Sequence, residues 1–450
     1  MSRRVTVVAS LVALAAACGP RPWWTATQMP KRTMHTMPFD ARDVFSMMGL
    51  AVDSTRFGFV ASLRFLATAS PDTTLGVFAM SFPSRSLSFR SEGSDFVAAY
   101  HVDVTVKTDS GGPRQFTRDE NVRVHTIRET QRADESIIFQ QFLPLRPGVY
   151  TVSVAVRDLN SSSHGQRDIL DTVPRFRSPA LGQPVPLYES GRRSRLADVP
   201  KFIVNPRGML VHATDSLRFY VEGYGFKPGT RVAARVVDMD TVELWHDTLA
   251  LAGDSALATA EFVIPPGGVP LGRGDLRVSP VGVANAPEMR VPFLVGFSER
   301  WAVTQFDQMV SLLRYFDRQD LVEKLKTATR TQRAGAWHDF YTASDTLPST
   351  PENEALDEYF QRVDQANRRY ADPSGPGWLS DRGEVYITLG EPDQTSELAG
   401  AMNPGIRWEY NTKHHLTLFF DDVSGLGQYR LSPESRTDFD KAAARMRHTT

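Results

Sequence analysis

Few places in the chain bring together side chains that could do chemistry. Three pairs of neighbouring ionisable residues stand out: His338-Asp339, His414-His415 and Asp421-Asp422. Adjacent residues of a strand point to opposite faces of the sheet, so His414 and His415 cannot readily hold one metal ion. Asp421 and Asp422 open a glycine-rich turn, where solvent-exposed acids are expected. The sequence therefore predicts neither a metal site nor a cofactor.

Asp381 and Arg382 are the charged residues best placed for a functional surface, because they follow Trp378 in a glycine-rich loop. A structural role is nevertheless the stronger expectation, with Asp381 in an Asx-type turn and a salt bridge. The 450 residues contain no Gly-x-Ser-x-Gly elbow, no His-Glu-x-x-His motif and no phosphate-binding loop. We therefore assign no catalytic residue.

The composition excludes several classes of protein. Lys and Arg number 51 and Asp and Glu 52, so the formal charge is −1. Nucleic-acid binding needs a basic face to neutralise phosphates, so we expect no nucleic-acid partner. The chain has one cysteine, Cys18, which rules out an intrachain disulfide and a cysteine-cluster metal site.

The first 18 residues predict export and lipid attachment. Arg3 and Arg4 precede an apolar stretch at 5–17, which is too short to cross a ~30 Å hydrocarbon core. The stretch ends in Leu-Ala-Ala-Ala before Cys18, which resembles the bacterial lipobox, although the leucine lies four residues before the cysteine rather than three. We predict a lipoprotein signal peptide at 1–17 and a lipid on Cys18. Ordinary signal peptidase cleavage, leaving a free thiol, is the alternative.

The resemblance implies a protein anchored in the cell envelope, and in a two-membrane bacterium this means the outer membrane, facing the periplasm. Residues 18–37 are rich in proline and predict an extended tether. The membrane is thus the first expected partner, reached through the lipid on Cys18.

Two strand-rich domains are predicted after the tether. Apolar residues alternate with polar ones over 57–65, 96–106 and 150–156, as half-buried strands require. We predict one antiparallel β-sandwich of the immunoglobulin-like type at 38–176 and a second at 200–297. The Ser-, Pro- and Arg-rich residues 177–199 predict a linker.

The period becomes helical in the C-terminal third. Met309, Leu312 and Phe316 share one stripe, and Thr350-Pro351-Glu352 predicts a helix start. The helix that follows places aromatic and aliphatic residues on one face: Leu356, Tyr359, Phe360, Val363 and Tyr370. We expect these aromatics to pack in a core.

The segment Gly377-Trp-Leu-Ser-Asp381 and its surroundings resemble the GWxTD-domain family of bacterial proteins over about 300–435. The motif residues that we take as candidates for an interaction site are Gly377, Trp378, Ser380, Asp381, Arg382, Gly383, Gly390, Pro392 and Asp393. Alternation over 384–389 favours a short strand there, with a helix as the alternative. Trp378 is expected to close a small core. The resemblance implies an envelope context and no particular reaction.

The expected fold is multidomain, with two antiparallel β-sandwich (immunoglobulin-like) domains followed by an α+β GWxTD domain at 298–450. The expected function is a non-enzymatic interaction or scaffold module that binds an envelope protein. The alternative is an envelope hydrolase, or a glycan- or peptide-processing enzyme, with a site near Trp378 and Asp381. A concave pocket with two convergent ionisable groups would favour the enzyme.

Replacing Cys18 by serine tests the lipid anchor. Each buried methylene contributes ~0.8 kcal/mol, so several acyl chains give stable attachment where one chain does not. We expect Cys18→Ser to move the protein from the membrane fraction to the soluble periplasmic fraction, as followed by cell fractionation. An unchanged membrane fraction would contradict lipid attachment.

Overall fold

The computed structural model describes residues 41–449 except positions 54, 56, 109–110, 133–136, 213–215, 284–285, 299–300, 302, 348–352, 374, 399–403 and 423. The predicted signal peptide, Cys18 and the tether lie outside the described residues, as does the predicted helix start at 350–352. Among the described residues, no helix is both long enough and apolar enough to span a membrane. The fold is mostly β, with several antiparallel sheets and a C-terminal helical region.

The first part of the chain forms two sheets. Its elements are α1 (Ala41–Met47), β1 (Ala51–Val52), β2 (Val60–Ala67), β3 (Thr74–Phe82), β4 (Arg90–Glu92), β5 (Asp95–Thr108), β6 (Gly111–Val124), α2 (Ile127–Thr130), β7 (Ile137–Leu145), β8 (Gly148–Asp158) and β9 (His164–Val173). A 3-10 turn covers Ser84–Ser86. The first sheet has the order β1-β2-β3-β7, and the second has the order β4-β5-β8-β9 with β6 paired to β5.

These two sheets enclose one hydrophobic core. Leu63 on β2 and Phe78 on β3 pack in the same cluster as Val104 on β5 and Val154 on β8. The predicted alternation on β5 is confirmed from Ala98 to Val106, where every second residue is buried and the residues between are partly exposed, while Phe96 is half-buried.

The next part of the chain forms a second pair of sheets. Its strands are β10 (Ala180–Leu181), β11 (Val185–Glu189), β12 (Ile203–Val204), β13 (Met209–Val211), β14 (Leu217–Tyr224), β15 (Arg231–Val237), β16 (Glu243–Ala250), β17 (Ala252–Gly253), β18 (Ala258–Ile264), β19 (Gly272–Pro280) and β20 (Met289–Gly296). One sheet has the order β12-β11-β14-β18-β17, with β10 on β14, and the other has the order β13-β20-β19-β15-β16. The pairing of β13 with β20 is parallel.

The first sheet is covered on both faces. Every residue of β3 is buried. Val77 and Ala79 on its outer face pack with Leu187 on β11 and Tyr220 on β14, in a cluster separate from the first core. The two pairs of sheets therefore share an apolar interface rather than joining through an exposed connection.

Residues 177–199 are predicted to be a linker, but they contain the strands β10 and β11 and one partner of a buried ion pair. Arg193 and Glu222 have no exposed side-chain surface and contact each other at 2.7 Å. Its arginine can be buried because a carboxylate on β14 neutralises it, a pairing that local composition cannot reveal.

Further hydrogen bonds from this ion pair join three parts of the chain. Arg193 donates to the Ala67 carbonyl at 2.6 Å, which lies at the end of β2, and to the Leu196 carbonyl at 3.0 Å. Tyr220 and Tyr224 donate to the two oxygens of Glu222 at 2.8 and 2.6 Å. We call Arg193, Glu222 and these two tyrosines the buried clamp.

The C-terminal region is helical and then forms a small sheet. Its elements are α3 (Phe306–Leu312), α4 (Gln319–Thr327), α5 (Arg333–Ser344), α6 (Glu354–Arg369), α7 (Asp381–Leu389), β21 (Gln394–Leu398), β22 (Gly405–Tyr410), β23 (Leu416–Asp422), β24 (Tyr429–Leu431) and α8 (Pro433–Thr449). Short 3-10 turns cover Leu313–Tyr315 and Gly377–Leu379. The antiparallel sheet has the order β21-β22-β23-β24.

The predicted apolar stripes of the helices are confirmed. Met309, Leu312 and Phe316 are buried, as are the aromatics of α6. Asn353 caps α6 by accepting the Leu356 N–H at 3.0 Å. Phe297, just after β20, stacks against Phe360 at 4.8 Å between ring centroids, so the helices and the preceding sheet pack together.

Candidate functional site

The predicted strand at 384–389 is wrong, because these residues form the end of helix α7. Ser380 caps the helix: its hydroxyl accepts the Gly383 N–H at 3.1 Å and donates to the Gly377 carbonyl at 2.7 Å. Gly390 ends the helix with a φ of 87°. The apolar alternation misled because the helix is buried on several sides, with Tyr386 buried as well as Val385.

Two glycines of the motif allow the backbones to approach closely. A Cβ on Gly377 would lie 2.2 Å from the Ala366 carbonyl oxygen of α6. A Cβ on Gly383 would lie 1.9 Å from the carbonyl oxygen of Gly377 itself. The first turn of α7 therefore rests on the 3-10 turn, which rests on the end of α6.

Trp378 is buried where α6, the 3-10 turn and α7 meet, with 4% of its surface exposed. The 3-10 turn that carries it contacts both α6 and α7. The expectation that Trp378 closes a small core agrees with this position.

Asp381 lies in the first turn of α7 rather than in the expected Asx turn, while the expected salt bridge is present. Its carboxylate accepts the Leu431 N–H at 2.7 Å and lies 3.3 Å from Arg436 and 3.7 Å from Arg430. Arg436 also pairs with Glu384 at 2.8 Å. Burial disfavours the Arg436 charge, but the bond to Glu384 and the attraction of Glu384, Asp381 and Asp440 together outweigh it and raise the pKa of Arg436. Asp381 therefore ties α7 to β24 and α8.

Arg382 is held between two aromatic rings. Its guanidinium carbon lies 4.3 Å from the ring centroid of Tyr429 and 5.4 Å from that of Tyr370. Burial lowers the pKa of Arg382. Its Nε is buried with no hydrogen-bond acceptor, and no described carboxylate lies within ion-pair distance of the guanidinium. The protein thus presents a partly desolvated cation supported by cation–π contacts and by the more distant charges of Asp372 and Asp422.

A second arginine continues this stack on the other side of Tyr370. Arg369 lies 5.3 Å from the ring centroids of both Tyr370 and Tyr386. It binds both oxygens of Glu391, at 2.5 and 2.7 Å. This bidentate bond lowers the pKa of Glu391 and raises that of Arg369. Unlike Arg382, Arg369 is therefore neutralised within the chain.

The remaining motif residues shape the turn from α7 into the small sheet. The Gly390 carbonyl accepts the Tyr410 hydroxyl at 3.0 Å. Asp393 accepts the Thr412 N–H at 2.8 Å, and this backbone hydrogen bond lowers the pKa of its carboxyl. Pro392 lies half-buried between them. These residues hold the turn and converge on no common point with Arg382.

The ionisable pairs considered for metal binding have structural surroundings. His414 packs edge-on against Tyr410, with ring centroids 5.8 Å apart, and burial lowers its pKa. Asp422 accepts the Gly427 N–H at 2.8 Å and so holds the β23–β24 hairpin loop. Across the described part of the chain, no group of three or more His, Cys, Asp or Glu side chains could hold a metal ion.

Sequence reasoning missed Tyr370 and Tyr429 as the supports of Arg382. Tyr370 was assigned to a core, and Tyr429 lies on a strand far along the chain. No local pattern signals that these rings enclose one guanidinium.

The GWxTD domain family model matches residues 286–434, so the chain contains a GWxTD domain. The match begins before the predicted domain start at 298 and takes in β20. No curated protein matches the chain.

Among solved structures, dimeric latent PorU from Porphyromonas gingivalis is similar at a TM-score of 0.24 and 11% identity, over 59% of this chain and 21% of that one. Trypsin-activated alpha-2-macroglobulin from Escherichia coli matches at a TM-score of 0.20 and 11% identity, over 54% of this chain and 17% of that one. The chain spans about a fifth of the length of these neighbours, and likeness at this level carries no argument about activity.

Two glycine-to-alanine substitutions test the close packing at Gly383, because they should change the free energy of unfolding in opposite directions. Gly383→Ala places a Cβ against the Gly377 carbonyl and should destabilise the chain by ~1–3 kcal/mol through overpacking. Gly335→Ala, on an exposed face of α5 with no atom within 4 Å of the new Cβ, should stabilise it by up to ~1 kcal/mol. Chemical unfolding of both variants is the measurement. Equal effects from the two substitutions would contradict the close packing at Gly383.

Proposed function

We propose that this protein is a lipid-anchored component of the cell envelope, attached through Cys18, that binds another envelope protein through its GWxTD domain without catalysing a reaction. In this proposal the anchor lies in the outer membrane and the chain faces the periplasm. The two pairs of sheets are immunoglobulin-like sandwiches that carry the GWxTD domain on a stiff support.

The first support for an interaction role is that most polar groups of the motif make structural hydrogen bonds. Ser380 caps a helix, Asp381 binds a strand and α8, and the two glycines allow close packing. A catalytic group must instead be free to reach a substrate. These bonds leave Arg382 as the motif's cation without a described carboxylate partner.

The single observation that carries the proposal is the stack of Arg382 on Tyr429, the residue that follows the hairpin loop carrying Leu426; we call these three residues the contact surface. Leu426 is 75% exposed in the loop three residues before Tyr429, and Asp422 holds this loop through the Gly427 N–H. Arginine and tyrosine are enriched among the residues that carry binding energy in protein interfaces, and Leu426 adds exposed apolar area. A partner carboxylate placed here would find a guanidinium that is already partly desolvated and oriented by two rings.

The hydrolase alternative gains little from the surroundings of its proposed site. Trp378 is almost fully buried, and Asp381 is engaged by one backbone N–H and two arginines. A cavity lined by ionisable groups lies elsewhere in the described chain, and none of the motif residues lines it.

Photo-crosslinking in intact envelopes tests the contact surface. A photo-reactive amino acid at Leu426 should capture a discrete partner, and Arg382→Gln in the same chain should reduce that capture on the order of tenfold, as expected for a buried interface arginine. The matched control is Arg314→Gln, since Arg314 also stacks on a tyrosine, at 5.1 Å from the Tyr315 ring centroid, in the same region.

Arg314→Gln should leave the captured band unchanged, and both variants should keep the parental melting temperature. A band that persists at full intensity in Arg382→Gln would refute the assignment of Arg382 to the contact surface.

A further inference from the structure

A cavity of about 110 Å³ lies where the second pair of sheets meets the helical region. Strands β15, β16, β19 and β20 line it, together with residues at the start of α3 and α5. No motif residue and no member of the contact surface belongs to its lining. The cavity is therefore a separate site that the proposed function leaves unused.

The cavity has an apolar wall. Val236, Leu271, Phe293 and Phe306 all line it and are buried. An apolar protein cavity of ~150 Å³ is large enough to bind benzene. A volume of about 110 Å³ is smaller, so the enclosed part of the cavity admits at most one small ring or one branched aliphatic group.

Three arginines also line the cavity, and one of them, Arg330, is paired with two aspartates. Arg330 bonds to Asp238 at 2.6 Å and to Asp240 at 2.7 Å. These bonds tie the β15–β16 turn to the segment before α5. Arg330 and its two aspartates therefore form part of the frame of the cavity.

The other two arginines are incompletely paired. Arg333 bonds to Asp307 at 2.5 Å and its guanidinium carbon lies 4.8 Å from the Phe306 ring centroid, while Arg273 reaches Asp275 only at 3.4 Å. Both side chains are 20% exposed, and the Nε of each is buried with no hydrogen-bond acceptor among the described residues. A buried donor without an acceptor is costly, so a ligand oxygen here would be stabilising.

We propose that this cavity binds a small carboxylate with an apolar body, its carboxylate bonded to Arg273 and Arg333 and its body against Phe293 and Leu271. The lining includes as many aspartates as arginines, so a bare anion gains little from net charge. The apolar group is therefore needed as well as the carboxylate. Two sources share this chemistry: a free organic acid, and the C-terminal residue of a peptide.

Titration calorimetry on the full chain tests the site with 3-phenylpropionate. We expect binding in the millimolar range or tighter, and at least about tenfold weaker binding of acetate, which lacks the ring, and of 3-phenylpropanol, which lacks the charge. Peptides ending in phenylalanine, as the free acid and as the amide, distinguish the sources. Acid-only binding of the peptide points to a peptide end, and binding of phenylpropionate without the peptide points to a free acid.

Arg273→Gln should weaken phenylpropionate binding by about tenfold, because a charge-assisted bond is lost. Arg290→Gln is the matched control, since Arg290 lies on β20 and pairs with Glu288 at 2.9 Å but does not line the cavity. Leu244→Trp, at a half-buried lining position, blocks the cavity sterically if Arg273→Gln does not fold. Equal binding of the acid and the alcohol, no binding of phenylpropionate, or binding unaffected by Leu244→Trp would each overturn the proposal.

Discussion

Arg193 and Glu222 meet with no solvent exposure, and their contacts reach three parts of the chain. Placing two charges in a protein interior costs several kcal/mol for each ion, so such a pair persists only where every remaining donor and acceptor is satisfied. Here Ala67, Leu196, Tyr220 and Tyr224 complete the bonds. Displacing the 190–198 segment or β14 would leave a buried charge unpaired, and displacing β2 would leave a buried guanidinium N–H without its acceptor. The buried clamp thus fixes how the first pair of sheets meets the second.

This constraint extends to the GWxTD region through shared packing. The outer face of β3 packs on β11 and β14, and Phe297 after β20 packs on Phe360 of α6. The C-terminal end of α6 then supports the 3-10 turn, and α7 packs on that turn. Each layer rests on the one before it. The motif lies where the chain passes from α6 to α7, and this explains why most of its residues pack these elements together.

The sequence predicted best where burial is one-sided. Val102, Val104 and Val106 alternate with polar residues because β5 has one buried face, and that alternation identified the strand. On α7 the same reasoning failed, since burial on several sides produced an apolar alternation within a helix. Ser380, with acids in the next turn, is the local signal that marks the helix start.

The clamp and the Arg382 stack lie beyond local reasoning for a different reason. Arg193 pairs with Glu222, and Arg382 with Tyr429, across separations that only the folded chain closes. A Ser- and Arg-rich segment is predicted to be a linker unless the carboxylate that pairs with its arginine is known. Likewise, Arg382 could be named as a candidate, but the rings that desolvate and orient it could not.

The central claim is that the described chain folds as one continuous stack held by the buried clamp. Chemical unfolding of the full chain with Arg193→Ala tests it most directly, compared with Arg195→Ala, whose arginine is 80% exposed. Removing Arg193 leaves Glu222 buried and unpaired, so we predict a loss of ~3–5 kcal/mol in the free energy of unfolding. Arg195→Ala should unfold at the parental midpoint. An Arg193→Ala chain that also unfolds at the parental midpoint would contradict the account.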